Sequence, residues 1–172
     1  MSGTRRCVYW DTCVFLAWIK GESREDPQDE AGILQCVDEA KTGGVLILTS
    51  DITRIEALDC CFESEEQRQT FADFLKRPEV ECRPVDNRVA ALAHDIRDYY
   101  QMRVAENGGR RLRTPDAIHL ATAIHYDASE MHTFDDGKSD RKSLSLLGLT
   151  GNVAGHALSI CKPRAAQLRM NL

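Results

Sequence analysis

The sequence contains no apolar run approaching the ~20 residues that a membrane-spanning helix needs. Its first residues, MSGTRRCVYW, also lack the apolar stretch and cleavage site of a signal peptide. We therefore expect a cytoplasmic protein with no membrane partner. A length of 172 residues, 42% of them hydrophobic, suits one domain with a complete core.

The cysteines form no recognisable disulfide framework or zinc motif. There are seven of them, an odd number, and no C-x-x-C occurs. Zinc sites commonly take Cys or His ligands in closely spaced pairs, and the sequence does not repeat such pairs. We expect the thiols to be reduced and to serve mostly as small buried side chains.

An excess of positive charge is also lacking, because the formal net charge is −5. The whole molecule therefore does not attract nucleic acid electrostatically. Positive charge is instead concentrated locally, in the run RRLR and shortly after position 137. The basic residues concerned are Arg110, Arg111, Arg113, Lys138, Arg141 and Lys142.

Short apolar runs alternate with amphipathic segments along the chain. The run VLILT at 45–49 is typical of a strand that is covered on both faces. An alternation of strands and helices predicts a parallel sheet between two helical layers, a three-layer α/β/α sandwich of about five strands. Strands are expected at 7–10, 45–49, 80–85, 130–134 and 157–163, and helices at 12–20, 31–42, 50–61, 65–76, 86–106 and 115–127.

Two acidic residues are predicted to end strands of this sheet. Asp11 follows the first strand and Asp135 follows the fourth. In open parallel sheets, ligands bind beyond the carboxyl ends of the strands. We therefore expect both carboxylates at that edge. Each also has a structural alternative, since Asp11 could cap the next helix and Asp135 could begin a turn, as could its neighbour Asp136.

Two helices should bring further acids to the same edge. The helix of RTPDAIHLATAI, with Thr114 as its expected N-cap, must return the chain to the start of the fourth strand, so Asp116 in its first turn lies at the carboxyl edge. The helix after VLILT, with Ser50 as its expected N-cap, carries Glu56 about 9 Å along its axis. Asp116 could alternatively complement the helix dipole, and Glu56 could be an exposed helix residue.

Four carboxylates at one edge need a counter-charge, because like charges a few ångströms apart raise one another's pKa. A divalent cation would supply it. A ligand set of oxygens favours Mg²⁺ or Mn²⁺ over Zn²⁺.

Four segments resemble the motifs of PIN-domain nucleases: VYWDTCVFL, LTSDITRIEAL, TPDAIHLATA and HTFDDGKSD. Within that family they are most similar to the single-domain toxin ribonucleases of bacterial type II toxin–antitoxin pairs (VapC-like). The resemblance spans most of residues 7–162. It implies strand order 3-2-1-4-5, one domain over 1–165 and a C-terminal tail over 166–172. The fourth motif departs from the family, because Asp135 leads into DGKSDRKSL instead of an early aromatic residue.

The resemblance further implies a metal-dependent endoribonuclease with Mg²⁺ or Mn²⁺. Asp11, Glu56, Asp116 and Asp135 would be its catalytic residues and metal ligands. Thr133 would support them, although it could equally be an ordinary β-branched strand residue. Arg110, Arg111 and Arg113 would hold the RNA backbone, unless they belong only to an exposed loop. His119 is expected to serve helix packing.

The resemblance also implies partners. A toxin would be neutralised by a small antitoxin, and a homodimer is a further expectation. The apolar side chains of Val14, Phe15, Trp18 and Ile19 could contact either partner or belong to the core. Two alternatives to a toxin stay open: a catalytically silent PIN-like module that binds protein or RNA, and a PIN nuclease that processes RNA without an antitoxin.

Overall fold

The computed structural model describes residues 5–21, 25–58 and 61–165. In these ranges five parallel strands form one sheet in the order β3-β2-β1-β4-β5, which confirms the expected order. The predicted tail at 166–172 and Cys60 lie outside the described residues. The strands are β1 (Arg6–Trp10), β2 (Val45–Ser50), β3 (Val80–Arg83), β4 (Glu130–His132) and β5 (Ile160–Cys161).

Helices cover both faces of the sheet, as the alternation of elements predicts. Alternate residues of β1 point to opposite sides: Val8 and Trp10 belong to one hydrophobic cluster, and Tyr9 belongs to the other. The fold is thus a three-layer α/β/α sandwich. Its described helices are α1 (Thr12–Lys20), α2 (Pro27–Lys41), α3 (Ile52–Glu56), α4 (Glu65–Phe74), α5 (Asn87–Met102) and α6 (Thr114–His125), with a 3₁₀ turn at Leu147–Leu149.

The face beside α1, α2 and α4 is rich in aromatic side chains. Val14 and Phe15 are completely buried there, and the Phe15 ring packs edge-on against Trp10 at 5.2 Å between centroids. Trp18 is partly exposed and lies 4.3 Å from the Phe74 ring. Val14 and Phe15 are therefore core residues and unavailable to a partner protein, whereas Trp18 and Ile19 keep some exposed surface.

Two expected helix starts are displaced. Helix α6 begins at Thr114, and its N-cap is Arg113, whose backbone is extended (φ −70°, ψ 152°). Thr114 is therefore the first helical residue instead of the cap. Helix α2 begins at Pro27, four residues before the predicted start, because Asp26 accepts a hydrogen bond from the Gln28 N–H and provides an effective N-cap.

The prediction for the helix after β2 was wrong at both ends. Ser50 is the last residue of β2, and the helix starts only at Ile52, although the Ser50 hydroxyl accepts a 3.4 Å hydrogen bond from the Ile52 N–H. The helix then ends at Glu56 instead of continuing to residue 61, because the backbone of Ala57 (φ −77°, ψ 68°) leaves the helical region. Glu56 is therefore at a helix C-terminus.

Strand β4 ends at His132, two residues before the predicted end. The Thr133 N–H still donates to the Cys161 carbonyl at 3.0 Å. One backbone hydrogen bond to β5 therefore continues beyond the end of β4, at the start of the loop that carries Asp135. Among the described residues, no helix is both long and apolar enough to cross a membrane.

Candidate metal centre

Asp11 directly follows the central strand β1 and is also the N-cap of α1, so its two expected roles coexist. Its Oδ1 accepts a 2.6 Å hydrogen bond from the Thr12 N–H, and its Oδ2 accepts a 2.7 Å hydrogen bond from the Thr133 hydroxyl. The Cys13 thiol also donates to Oδ2 at 3.3 Å. Burial and the Asp11 charge raise the pKa of Cys13 well above its ordinary value, so this thiol stays protonated.

Glu56 reaches the same place from the end of α3. Its Oε2 accepts hydrogen bonds from the Thr12 hydroxyl at 2.6 Å and from His119 Nε2 at 2.7 Å. Burial alone would raise the pKa of Glu56, but its bond with His119, the charge of that ring and the Thr12 bond outweigh burial and lower it. Glu56 is therefore a carboxylate that its neighbours hold in the ionised form.

His119 is fully buried one turn after Asp116 on α6. Its Nδ1 lies 2.6 Å from the Tyr9 hydroxyl, and its Nε2 lies 3.4 Å from Asp11 Oδ1 as well as 2.7 Å from Glu56. Burial opposes a charged imidazole, yet the Asp11 and Glu56 carboxylates outweigh it and raise the pKa of His119. The ring thus joins the core to two of the candidate ligands.

Asp116 lies in the first turn of α6 and is 4% exposed. The Arg113 guanidinium forms a two-pronged ion pair with it, at 2.7 and 3.0 Å. Burial raises the pKa of Asp116 to about 6, the Arg113 bond and charge oppose that rise, and Asp11 and Asp135 add to it. The bond and charge of Arg113 therefore do not offset the effect of burial on the pKa of this carboxyl group.

Asp135 is half-buried in the loop after β4. Its Oδ1 accepts a hydrogen bond from the Gly137 N–H at 3.0 Å, and its Oδ2 accepts one from the Leu146 N–H at 3.2 Å. Its own N–H donates to the Thr133 hydroxyl, 3.1 Å away, and that hydroxyl donates to Asp11. Asp135 therefore takes part in a turn and also faces the other acids, with Thr133 as the link between them.

The four predicted acids line one cavity of about 310 Å³ at the carboxyl edge of the sheet. The same cavity is lined by Thr12, Cys13 and Arg113, and Arg113 is the lining side chain with a fixed positive charge. The donor set is thus rich in carboxylate oxygens and short of positive charge. Such a set fits a hard divalent cation such as Mg²⁺ or Mn²⁺. The charges of Asp11 and Asp135 add to the rise in the pKa of Asp116 that burial causes, which is the direction expected where carboxylates lie close together. Asp11, Glu56 and His119 place one potential ligand atom each within 4.8 Å of one another.

The three predicted RNA-binding arginines have different surroundings. Arg113 reaches the acidic cavity, whereas Arg110 lines a second cavity of about 570 Å³ with Asp136, Lys138 and Arg141. Arg111 lines neither cavity, and its backbone pairs with the segment around Ser143. Asp136, for which the sequence suggested a turn, is exposed and accepts a hydrogen bond from the Lys138 N–H, as in a turn.

Three further side chains contribute to the centre: Tyr9 and Thr12, which the sequence did not single out, and His119, which was expected to serve helix packing. Each contributes through a side-chain contact between different elements, which residue spacing does not reveal. One usable signal existed, because His119 follows Asp116 by three residues and must share its helix face.

Comparison with known proteins agrees with this architecture. The family model described as PIN domain matches residues 8–142. The chain belongs to the PIN domain family. No curated protein sequence matches this PIN chain significantly.

Two solved structures share the fold of this PIN domain at low sequence identity. VapBC2 from Rickettsia felis, crystallised with a DNA fragment from its promoter, is 15% identical with a TM-score of 0.57, over 90% of this chain and 98% of the other. FitAcB from Neisseria gonorrhoeae is 20% identical with a TM-score of 0.53, over 91% of this chain and 97% of the other. The fold therefore extends over nearly the whole PIN chain.

Proposed function

We propose that this PIN domain is a metal-dependent endoribonuclease that hydrolyses RNA phosphodiester bonds. The observation that carries the proposal is the gathering of four carboxylates, opposed by one guanidinium, around a cavity at the carboxyl edge of the sheet. The proposed catalytic residues and metal ligands are Asp11, Glu56, Asp116 and Asp135.

The chain's own groups would hold and orient these carboxylates. Thr133 fixes Asp11 through its hydroxyl, and Thr12 and His119 fix Glu56. Bound Mg²⁺ or Mn²⁺ would neutralise the acids, offset the charge of phosphate oxygens and acidify a water molecule. Arg113, no longer needed to balance Asp116, would then be available to a phosphate of the RNA backbone.

Cleavage of a labelled structured RNA, with and without Mg²⁺ or Mn²⁺, tests the proposal. We expect metal-dependent cleavage by the wild type and a loss of at least 100-fold, the scale of removing a key electrostatic group, in Asp116→Asn. Asp136→Asn is the matched control, because it removes an exposed carboxylate one residue from Asp135 and should cleave normally. Metal and RNA binding without cleavage would favour a silent binding module, and cleavage that survives in Asp116→Asn would place the active site elsewhere.

We further propose that the nuclease is the toxin of a toxin–antitoxin pair. The motif resemblance to toxin ribonucleases and the fold likeness to VapBC2 and FitAcB support this role. An antitoxin could cover the acidic edge by contacting Ile55 and Leu58, which flank Glu56 in the sequence and are 70% and 56% exposed. These two side chains replace Val14 and Phe15 as candidate partner contacts.

Induced expression of the chain alone in a bacterial host tests the toxin role. Wild type and Asp136→Asn should arrest growth, and Asp116→Asn should not. If purified wild-type protein cleaves RNA but its expression is harmless, the chain is better interpreted as an RNA-processing nuclease without an antitoxin.

A further inference from the structure

A second cluster of metal-ligating side chains lies on the sheet face that α2 covers. Glu130 and His132 are two residues apart on β4, so they point to the same face. His132 is paired in register with Cys161 of β5, which brings the thiol alongside the imidazole. Trp10, the register partner of His132 on β1, belongs to the hydrophobic cluster of the same face.

The potential ligand atoms of this cluster are already close together. One carboxylate oxygen of Glu130, one ring nitrogen of His132 and the Cys161 Sγ lie within 4.8 Å of one another. Ligands bound about 2.0–2.3 Å from a tetrahedral Zn²⁺ are roughly 3.3–3.8 Å apart, so small side-chain rotations suffice to reach that geometry. The cluster lines a cavity of about 340 Å³, which leaves room for a further ligand or water.

The hydrogen bonding of His132 gives independent support. The residue is 6% exposed, and its Nε2 lies 3.2 Å from Glu130 Oε1. Its Nδ1 is buried and has no hydrogen-bond partner among the residues that the structure describes. Buried polar atoms nearly always have a partner, so this imidazole, whose Nε2 faces the Glu130 carboxylate, still carries one nitrogen with unused binding capacity.

The surroundings of Glu130 hold its carboxylate in place. Arg6 Nη1 lies 3.3 Å from Glu130 Oε1, while Arg6 Nη2 pairs with Glu39 of α2 at 2.9 Å. Outer partners of this kind orient ligating carboxylates in metal sites. The cavity shares no lining residue with the acidic cavity of the candidate nuclease centre.

We propose that Glu130, His132 and Cys161 form a second metal site, selective for a borderline-soft cation such as Zn²⁺. A mixed oxygen, nitrogen and sulfur donor set discriminates against Mg²⁺, which prefers oxygen ligands. Three protein ligands leave a fourth position open. The cation would link β4 to the two-residue strand β5 and so stabilise this edge of the sheet.

Titration with Co²⁺ under reducing conditions and in excess Mg²⁺ tests the proposal. Excess Mg²⁺ would compete for the proposed oxygen-rich centre, and a thiolate-to-cobalt charge-transfer band in the near ultraviolet reports on a cysteine ligand. We expect about one equivalent per chain and displacement of the band by Zn²⁺. Cys161→Ser and His132→Gln should lose the band, and Glu130→Gln should bind about 10-fold more weakly or worse.

Cys13→Ser is the matched control, because its thiol lies beside Asp11 in the other cavity. It should keep the band, and circular dichroism should confirm that each variant is folded. The proposal is overturned if wild type gives no band, or if the band survives in Cys161→Ser and disappears in Cys13→Ser. The measurement requires no RNA cleavage, so its outcome is separate from that of the proposed nuclease function.

Discussion

His119 and Glu56 form a 2.7 Å hydrogen bond between a fully buried imidazole and a carboxylate whose side chain is 29% exposed. The Tyr9 hydroxyl contacts the other ring nitrogen, so the imidazole is fixed from both sides. Glu56 is the last residue of its short helix, and this contact restricts the position of its side chain. His119 is therefore a positioning residue for the candidate metal centre.

Replacing His119 by Ala should weaken binding of Mn²⁺ about 10- to 100-fold, the usual effect of removing a group that orients a metal ligand. His119→Asn, which can still donate a hydrogen bond, should recover part of the affinity. Isothermal titration of folded, metal-free protein measures the effect. His125→Ala, at the other end of the same helix, is the control. Equal affinities of His119→Ala and wild type would exclude a positioning role.

The raised pKa of Asp116 makes the stability of metal-free protein depend on pH. Its folded-state pKa of about 6 lies above the ordinary value of 3.8, so the folded protein binds more protons than the unfolded chain between these values. The stabilising contribution of the protonated group is therefore present below about pH 4 and is lost as pH rises through about 6. Asp116→Asn does not ionise and should escape this loss.

Urea unfolding in EDTA at about pH 4 and pH 8 measures this difference. The free energy of unfolding of Asp116→Asn, relative to wild type, should rise by about 2–3 kcal/mol between the two pH values, since one pKa unit corresponds to about 1.4 kcal/mol. Asp136→Asn changes an exposed acid and should show no comparable rise. A relative stability of Asp116→Asn that is independent of pH would contradict the raised pKa.

Arg113 should compete with a metal ion for Asp116. Arg113→Gln removes the competing charge, so we expect tighter Mn²⁺ binding together with weaker RNA binding. The slope of the logarithm of the RNA-binding constant against the logarithm of salt concentration should also become shallower by about one, which corresponds to the loss of one phosphate contact. Arg110→Gln, whose side chain lines the neighbouring cavity, should weaken RNA binding without changing metal affinity. Identical metal affinities of the two variants would argue against competition at Asp116.

Gly32 should be intolerant of even a methyl group. A Cβ at this position of α2 would lie 2.2 Å from the Pro163 carbonyl oxygen, which is backbone and cannot rotate away. Ala normally stabilises a helix interior by up to about 1 kcal/mol relative to Gly. Here Gly32→Ala should instead lower the free energy of unfolding by roughly 1–3 kcal/mol, as overpacking does.

Gly44→Ala is the matched control for Gly32→Ala, since its Cβ would meet only the Glu39 carbonyl oxygen at an ordinary 3.5 Å. Urea unfolding of both variants should show a large loss for Gly32→Ala alone. Similar stabilities of the two variants would mean that the backbone of Pro163 does not lie against α2 at Gly32.

The sequence allowed prediction of where the acids lie, because neighbouring residues define the position of each. Asp11 follows an apolar run, and Asp116 follows a Pro near a helix start. The link from Glu56 to His119 could not be predicted, because it joins side chains 63 positions apart. Residue spacing likewise does not reveal that His132 and Cys161 are neighbours, because strand pairing places them side by side.

The extent of the elements was less predictable than their order. The apolar pattern gave the strands and their sequence along the chain, and the family resemblance gave their order in the sheet. The pattern did not reveal that Ala57 would leave the helical region and end α3 at Glu56. Backbone geometry at such ends depends on tertiary contacts that local propensity does not contain.

The central position of β1 has a consequence for synthesis of the protein. Asp11 is made early, but β1 pairs on one side with β4, and the Thr133 hydroxyl that fixes Asp11 comes 122 residues later. A ribosome-bound chain cannot complete the acidic cavity until Asp135, position 135 of 172, has emerged and β4 has inserted beside β1. The nascent chain therefore lacks the complete set of four carboxylates for most of its translation.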